Sequence, residues 1–380
     1  MPRAAVLTFA AAALLSGPLF SKQALAESRS FVVTWFGQAM NSKDGDCGPQ
    51  GPNPRWPEQR LKNARDLGYS AEEVERMLKE DLAGEEGYEA GKIVQANVFR
   101  GRLNGEPVNG YLYPNTVIDP KLRALTGEKA KFQYGFNLDG KIGDKDFEDP
   151  ETHEKGVDSE FTRAMGCMPT FRGGLTPTAA PLEYAWAWAW KKEGRSAWII
   201  TVTAEDLTKD GDATITFDRA VERLRFNADG TPRSDSSYRI DPSPKSHNEY
   251  KARIKDGLIT LAEPGAADFS MVYNPEFIPV IRMTKVQMRM KVLPDRTIEG
   301  FLGGYQRWDD LYIAYASGGK ANEDGNAGDL AGIYWLLRKY ADHDPSPATG
   351  QMMAISATWN FYGIPAFAVS AEPPRASVHH

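Results

Sequence analysis

Alternating apolar and polar residues, with the period of two that is typical of β-strands, occupy most of the chain from about residue 93 onward. The clearest example is VQMRMKV at 286–292, where the even-numbered apolar residues would share a buried face. Gln287, Arg289 and Lys291 would then face water. Asn104-Gly105 joins two such runs, and this dipeptide is the strongest short signal for a hairpin. Further strands are predicted at 197–203, 213–217, 221–226, 250–254, 351–361 and 364–369, with Asp-Gly turns at 210–211, 229–230 and 256–257.

Helical periodicity is found nearer the two ends. Residues 57–68 and 71–84 predict a helical pair, the second helix beginning with a capping box of Ser70 and Glu73. Residues 308–316 and 329–342 predict two more helices, and Gly303-Gly304 predicts a bend before them.

This pattern predicts a mainly β fold, a β-rich α+β chain whose antiparallel sandwich or barrel-like body has short helical segments near both ends. The predicted division is a signal peptide at 1–26, an N-terminal loop and helical pair at 27–90, and a β-rich body at 91–380. The body includes a helical insertion at about 305–342 and the C-terminal strands.

The first 26 residues have the composition of a secretory signal peptide. Arg3 precedes the apolar run AAVLTFAAAALLSGPLF, and Ala24-Leu25-Ala26 supplies small residues where a signal peptidase cleaves. We expect cleavage after Ala26 and export to the periplasm or the cell exterior. No later segment is apolar enough to span a membrane, so we expect no span after the signal is removed.

The net charge excludes two classes of partner. The formal charge is −6, and loss of Arg3 and Lys22 with the signal makes it more negative. An acidic chain lacks the basic surface that attracts nucleic acid or an anionic membrane.

The two cysteines, Cys47 and Cys167, predict a disulfide, because an isolated pair in an oxidising compartment most simply forms one bridge.

A row of aromatic residues lies in EYAWAWAWKK at 183–192. On a strand, alternate side chains share a face, so four rings would line up at intervals of about 7 Å while alanines form the other face. Two interpretations stay open: the rings fill a core, or they project into a cleft and stack on sugar rings. The predicted ligand-binding residues are Tyr184, Trp186, Trp188 and Trp190.

A second candidate site is the acidic stretch at 136–161. Its closely spaced aspartates and glycines suit calcium, which takes oxygen ligands from loops. The spacing is not that of an EF-hand, and a solvated acidic loop is the alternative. The predicted calcium ligands are Asp139, Asp144, Asp146 and Asp158.

Catalytic residues stay unassigned. No G-x-S-x-G nucleophile motif occurs, and the histidines lack the spacing of a zinc enzyme; His247 is predicted in a polar loop. Paired carboxylates are the remaining catalytic candidates, because Glu183 adjoins the aromatic row and Asp309-Asp310 follow Trp308.

Two functions from different classes follow. The first is an exported, non-catalytic protein that binds a ligand such as a glycan, or has a structural role in the envelope. The alternative is a periplasmic or secreted hydrolase or lyase that acts on polysaccharide through paired carboxylates.

Overall fold

The computed structural model describes residues 26–54, 65, 70–72, 75–76, 100–110, 112–126, 128–172, 196–243, 247–270, 280–317 and 330–370. Antiparallel strands dominate this part of the chain. The strands of the large sheet are β1 (Glu27–Gln38), β6 (Ser196–Ala204), β7 (Gly211–Arg223), β8 (Ser236–Ile240), β9 (His247–Lys255), β10 (Leu258–Leu261), β11 (Gly265–Ser270), β12 (Val280–Val292), β13 (Ile298–Arg307), β14 (His343–Pro345) and β15 (Met352–Ser370). Two small hairpins pair β2 (Arg100–Leu103) with β3 (Glu106–Asn109), and β4 (Phe147–Glu148) with β5 (Lys155–Val157). The helices are α1 (Glu160–Met165), α2 (Trp308–Ser317) and α3 (Leu330–Tyr340), with short 3-10 turns at Pro114–Thr116, Glu128–Ala130 and Pro169–Phe171.

The large sheet closes on itself into a barrel. Its neighbours run β1, β6, β7, β9, β10, β12, β13 and β15, and β15 pairs again with β1 in antiparallel register, with Trp35 opposite Tyr362. β8 adds in parallel to the end of β15. The predicted β-rich antiparallel body with short helices is therefore confirmed. Closure leaves no free edge in this ring of strands, which is how antiparallel barrels avoid edge-to-edge aggregation.

Two tight turns form where the sequence predicts them. Asn104 and Gly105 have positive φ angles of 54° and 88° between β2 and β3. Asp256 and Gly257, with φ angles of 51° and 75°, join β9 to β10. Positive φ at both central residues is the geometry whose twist matches that of the flanking strands.

Aromatic side chains fill the interior of the barrel. Burial alternates strictly along β9, as expected for a strand with one face inside and one in water. Phe36 stacks on Trp359 with 5.1 Å between ring centroids, and Trp198 contacts Phe217 at 5.4 Å. Side chains of α1, α2 and α3 belong to the same buried cluster, so a single core connects the barrel to its helices. A barrel of about eight strands is just wide enough for its side chains to fill it.

Three predicted boundaries are wrong. Residues 27–38, assigned to an N-terminal segment outside the β body, form β1, because their β-branched and aromatic residues pair with β6 and β15. The strands predicted at 351–361 and 364–369 are one continuous strand, β15. Gly303 and Gly304 lie inside β13 and do not mark a bend.

Residues 131–159, which we call the cover segment, pack on the outer face of β12, β13 and β15. Phe136 and Leu138 form a buried cluster with Phe301 and Tyr305. A Cβ atom at position 303 would collide with the Phe136 ring. Glycine is thus needed at this position for close approach rather than for a turn.

A buried ion pair fixes the cover segment to the barrel. Arg289, 6% exposed, bonds to the carboxylate of Asp149, which is fully buried, and donates to the Gly135 carbonyl at 2.6 Å. The guanidinium lies 4.8 Å from the ring centroid of Phe136 and 4.6 Å from that of Phe301. The prediction that Arg289 faces water is wrong, because the cover segment lies over this face of β12.

The predicted disulfide is confirmed. Cys47 and Cys167 are bonded, with 5.7 Å between their Cα atoms and 120 residues of sequence separation. The predicted signal peptide lies outside the described residues apart from Ala26. In the predicted helical pair, the five described positions 65, 71, 72, 75 and 76 are helical. Among the described residues, no helix is both long enough and apolar enough to cross a membrane.

We expect Arg289→Met to lower the free energy of unfolding by about 3–5 kcal/mol, because it leaves the buried Asp149 carboxylate without its cation. Denaturant unfolding measures the loss. The matched control is Arg253→Met, since Arg253 forms an exposed pair with Asp212 at 3.4 Å and its loss should change stability by less than about 1 kcal/mol. Equal effects of the two substitutions would contradict the role assigned to Arg289.

Candidate functional site

The four predicted ligand-binding residues of the aromatic row, Tyr184, Trp186, Trp188 and Trp190, lie outside the described residues. Both interpretations of that row therefore stay predictions. The same holds for Glu183, the carboxylate next to it.

All four predicted calcium ligands belong to the cover segment, and three of them already bond to its backbone. Asp158 Oδ2 accepts the N–H groups of Leu138 at 2.7 Å and Asp139 at 3.1 Å. Asp139 Oδ1 accepts the Lys141 N–H at 2.8 Å, and Asp146 accepts that of Gly143.

The fourth, Asp144, is exposed. In the part of the chain that the structure describes, no group of three or more His, Cys, Asp or Glu side chains is arranged to hold a metal ion. Calcium binding at these four aspartates stays a prediction.

The structure adds two acids that were not predicted as ligands: Glu160 of α1, at the end of the same acidic stretch, and Asp342, which follows α3. Each of these acids affects the pKa of at least one other: Asp139 and Asp146 raise that of Asp158, Asp146 raises that of Glu160, and Glu160 and Asp158 raise that of Asp342. We call this set the carboxylate cluster: Asp139, Asp146, Asp158, Glu160 and Asp342.

Ser356 of β15 joins two members of the cluster. Its hydroxyl donates to Asp342 Oδ2 at 2.7 Å and accepts the Glu160 N–H at 2.9 Å. Its own N–H donates to Asp342 Oδ1 at 2.8 Å. Because Ser356 is fully buried, this network holds the start of α1 and the carboxyl of Asp342 at fixed positions on the barrel wall.

Burial raises the pKa values of two aspartates into the neutral range. Desolvation raises the pKa of Asp158 to about 6, against the opposing effect of its two backbone hydrogen bonds, and nearby Asp139 and Asp146 add to the rise. Desolvation likewise raises the pKa of Asp342 to about 7, with a further contribution from Glu160 and Asp158. These groups can exchange protons near neutral pH, a property common in functional sites.

An aromatic pair borders the cluster. The ring of Tyr305 stacks on that of His343, with 4.0 Å between centroids and 21° between planes. Burial raises the pKa of Tyr305, and Asp158 and Asp342 raise it further, so its hydroxyl stays protonated. Burial lowers the pKa of His343, and the charge of Lys285 lowers it further.

No pattern in the sequence indicates three of these residues, Tyr305, Ser356 and Asp342. Tyr305 and Ser356 are directly opposite each other across β13 and β15, although 51 positions separate them in the sequence. Asp342 directly precedes His343 in the sequence, and only the return of β15 brings it to the cover segment. Glu160 and Asp158 were visible as part of the acidic stretch.

The arrangement can bind in two ways. Ionised carboxylates accept hydrogen bonds from hydroxyl groups, and the protonated form of Asp342 or Asp158 can also donate one. Unequal acids near neutrality can also exchange protons with a substrate.

Comparison of the chain with protein-family models, with curated proteins and with solved structures found no match. The functional conclusion therefore rests on the geometry and chemistry of the residues themselves.

We expect the chain to be more stable at pH 5 than at pH 8. The pKa values of about 6 and about 7 for Asp158 and Asp342 exceed the value of about 3.9 expected in the unfolded chain. The folded chain therefore binds more protons, so this stabilisation is complete below about pH 4 and is lost as the pH rises through both folded values.

Melting temperatures at pH 5 and pH 8 measure this difference. Asp342→Asn should shrink it, while Asp344→Asn, at an exposed neighbouring position, should leave it unchanged. A melting temperature that rises from pH 5 to pH 8 in the unsubstituted chain would contradict the assignment.

Proposed function

We propose that this chain is an exported, non-catalytic binding protein of the cell envelope or exterior, and that its ligand is a glycan. The signal-peptide pattern of the first 26 residues and the Cys47–Cys167 disulfide support export, because disulfides persist in oxidising compartments.

The filled barrel favours a site on the outer surface. Three large aromatic side chains in one buried cluster inside the barrel are at most 1% exposed: Trp198, Phe217 and Trp359. Barrels that carry a ligand inside leave a cavity at this position. We therefore place the proposed ligand site on the outer face of the barrel or its loops, and not in the interior.

The observation that carries the proposal is the carboxylate cluster beside the Tyr305–His343 pair. A glycan presents many hydroxyl groups, and a carboxylate is a strong acceptor for them. The cluster is partly accessible: the side chain of Asp139 is 33% exposed and that of Glu160 is 21% exposed. The aromatic row at 184–190 supports the same ligand class, since tryptophan rings pack on the C–H faces of sugars.

Trp188→Ala tests the aromatic row, with Trp198→Ala as the matched core variant. Trp198 is 1% exposed inside the barrel, so its truncation should cost about 3–5 kcal/mol of stability. If Trp188 belongs to a ligand platform, its truncation should leave the melting temperature within a degree or two of the parent. It should also weaken glycan binding by about 1–3 kcal/mol, by analogy with bases stacked on aromatic rings.

The binding measurement is a glycan array followed by titration of the tightest glycan, with calcium and then with EDTA. A Trp188→Ala variant as unstable as Trp198→Ala would show that the row is core. An array with no bound glycan under either condition would refute the proposed ligand class.

A polysaccharide-active hydrolase is the second candidate, because desolvation raises the pKa values of both Asp158 and Asp342 toward neutrality. Glycan-cleaving enzymes use two carboxyl groups, one protonated and one ionised. In this function, Asp342 would be the acid and Asp158 the base or nucleophile.

We expect no release of reducing ends from polysaccharides if the binding function is correct. If reducing ends do appear, Asp342→Asn should lower kcat by about 100-fold or more and remove one limb of the pH profile. The control is Asp212→Asn, a carboxylate of β7 whose side chain is 87% exposed. Such a result would replace the binding proposal with the hydrolase.

A further inference from the structure

A histidine on the opposite side of the barrel is held by a buried carboxylate. His247 Nδ1 is 2.5 Å from Asp218 Oδ1, and the Asp218 side chain is only 7% exposed. The other carboxylate oxygen accepts the hydroxyl of Thr216 at 2.6 Å. Asp218 is therefore fixed in orientation, and it fixes the orientation of the imidazole.

The free edge of this imidazole points to a second carboxylate. His247 Nε2 lies 3.6 Å from Glu249 Oε2, and these two side chains are 46% and 63% exposed. His247 begins β9 rather than lying in a loop, so residues 247 and 249 share its outer face. The pairing of β9 with β7 places Asp218 opposite His247 and Thr216 opposite Glu249.

We propose that His247 Nε2 and Glu249 bind a divalent transition metal such as Zn²⁺, with Asp218 orienting the histidine and water completing the coordination. Imidazole and carboxylate are both ligands of zinc. Two ligands at about 2.1 Å from a tetrahedral zinc ion are about 3.4 Å apart, close to the observed 3.6 Å. With two protein ligands, the proposed site is smaller than the groups of three or more metal-binding side chains considered above.

Asp218 contributes what a metal-binding histidine usually requires. Metal-ligating histidines donate their second N–H to a carboxylate or carbonyl, which fixes the tautomer and raises the basicity of the ligating nitrogen. The hydrogen bond that His247 donates to Asp218 raises the pKa of His247, in agreement with that effect. On binding, the Zn²⁺ ion replaces a proton on Nε2, and that proton passes to solvent.

The chain contains a matched comparison. His153 Nδ1 lies 3.7 Å from Glu148 Oε1, nearly the same separation as in the proposed site. The His153 side chain is 75% exposed, and its ring contacts Glu148. A histidine–glutamate pair without a buried orienting carboxylate should bind metal more weakly, because the ring must be ordered on binding.

The test is titration of the full chain with Zn²⁺ by calorimetry at pH 7.5, in a His379→Asn/His380→Asn background that removes the consecutive C-terminal histidines. We expect one ion per chain. His247→Gln should abolish binding, Glu249→Gln should weaken it, and Asp218→Asn should weaken it by about 10–100-fold. His153→Gln should leave it unchanged.

Glu249→Gln changes an exposed side chain, so its effect on zinc does not depend on the stability of the barrel. Melting curves identify any variant that fails to fold. The proposal is overturned if the background binds no zinc, or if His247→Gln or Glu249→Gln binds it as tightly as the background. Loss of zinc in His153→Gln alone would transfer the site to the cover segment. Neither result depends on whether the chain binds a glycan.

Discussion

The ion pair between Arg289 and Asp149 is the constraint on which the outer face of the barrel depends. Arg289 is in the middle of a barrel strand, and Asp149 lies in the cover segment 140 positions earlier. Two backbone N–H groups, from Glu151 and Thr152, donate to Asp149 Oδ1 at 2.9 Å. Burial alone would raise the pKa of Asp149, but these hydrogen bonds and the charge of Arg289 lower it overall. The pair is thus both neutralised and fully hydrogen-bonded, which a buried charge requires.

The position of the cover segment decides the chemistry of the carboxylate cluster. The segment brings Asp158 against β13 and β15, where burial removes the water that would stabilise its charge. Asp342 reaches the same place from the other direction through Ser356. An aspartate in an exposed loop would titrate near its ordinary value, so the raised pKa values are a consequence of the packing. The same acids in a free loop would suit calcium better, because their oxygens would not be occupied by backbone N–H groups.

The sequence predicted the class of the fold well, because strand period, hairpin turns and the disulfide are encoded locally. Asn104-Gly105 and Asp256-Gly257 need positive φ angles that few other residues adopt, so these turns were visible in the sequence alone. The closure of the barrel could not be predicted from the sequence, since the pairing of β1 with β15 joins residues more than 300 positions apart. Arg289 illustrates the same limit: its alternation with methionines is typical of a solvated face, and only a distant segment covers it.

The same limit applies to the candidate sites: residues close together in the sequence could be predicted, and residues joined by strand pairing could not. Asp139, Asp146 and Asp158 were visible because they are close in sequence, whereas Ser356, Tyr305 and Asp342 meet them only through strand pairing. His247 and Asp218 are also joined by pairing, between β7 and β9, and no local spacing indicates a ligand there.

The two sites differ in the kind of positive charge that their geometry favours. In the cluster, neighbouring acids repel one another, and desolvation disfavours the charged forms of Asp158 and Asp342, so a bound proton relieves the repulsion. At His247, Asp218 is paired with the inner nitrogen of the imidazole, and Glu249 lies beside the outer one. A cation bound outside the barrel wall would there offset the negative charge of Glu249. The closed barrel makes both arrangements precise, because its strands hold paired side chains in fixed register.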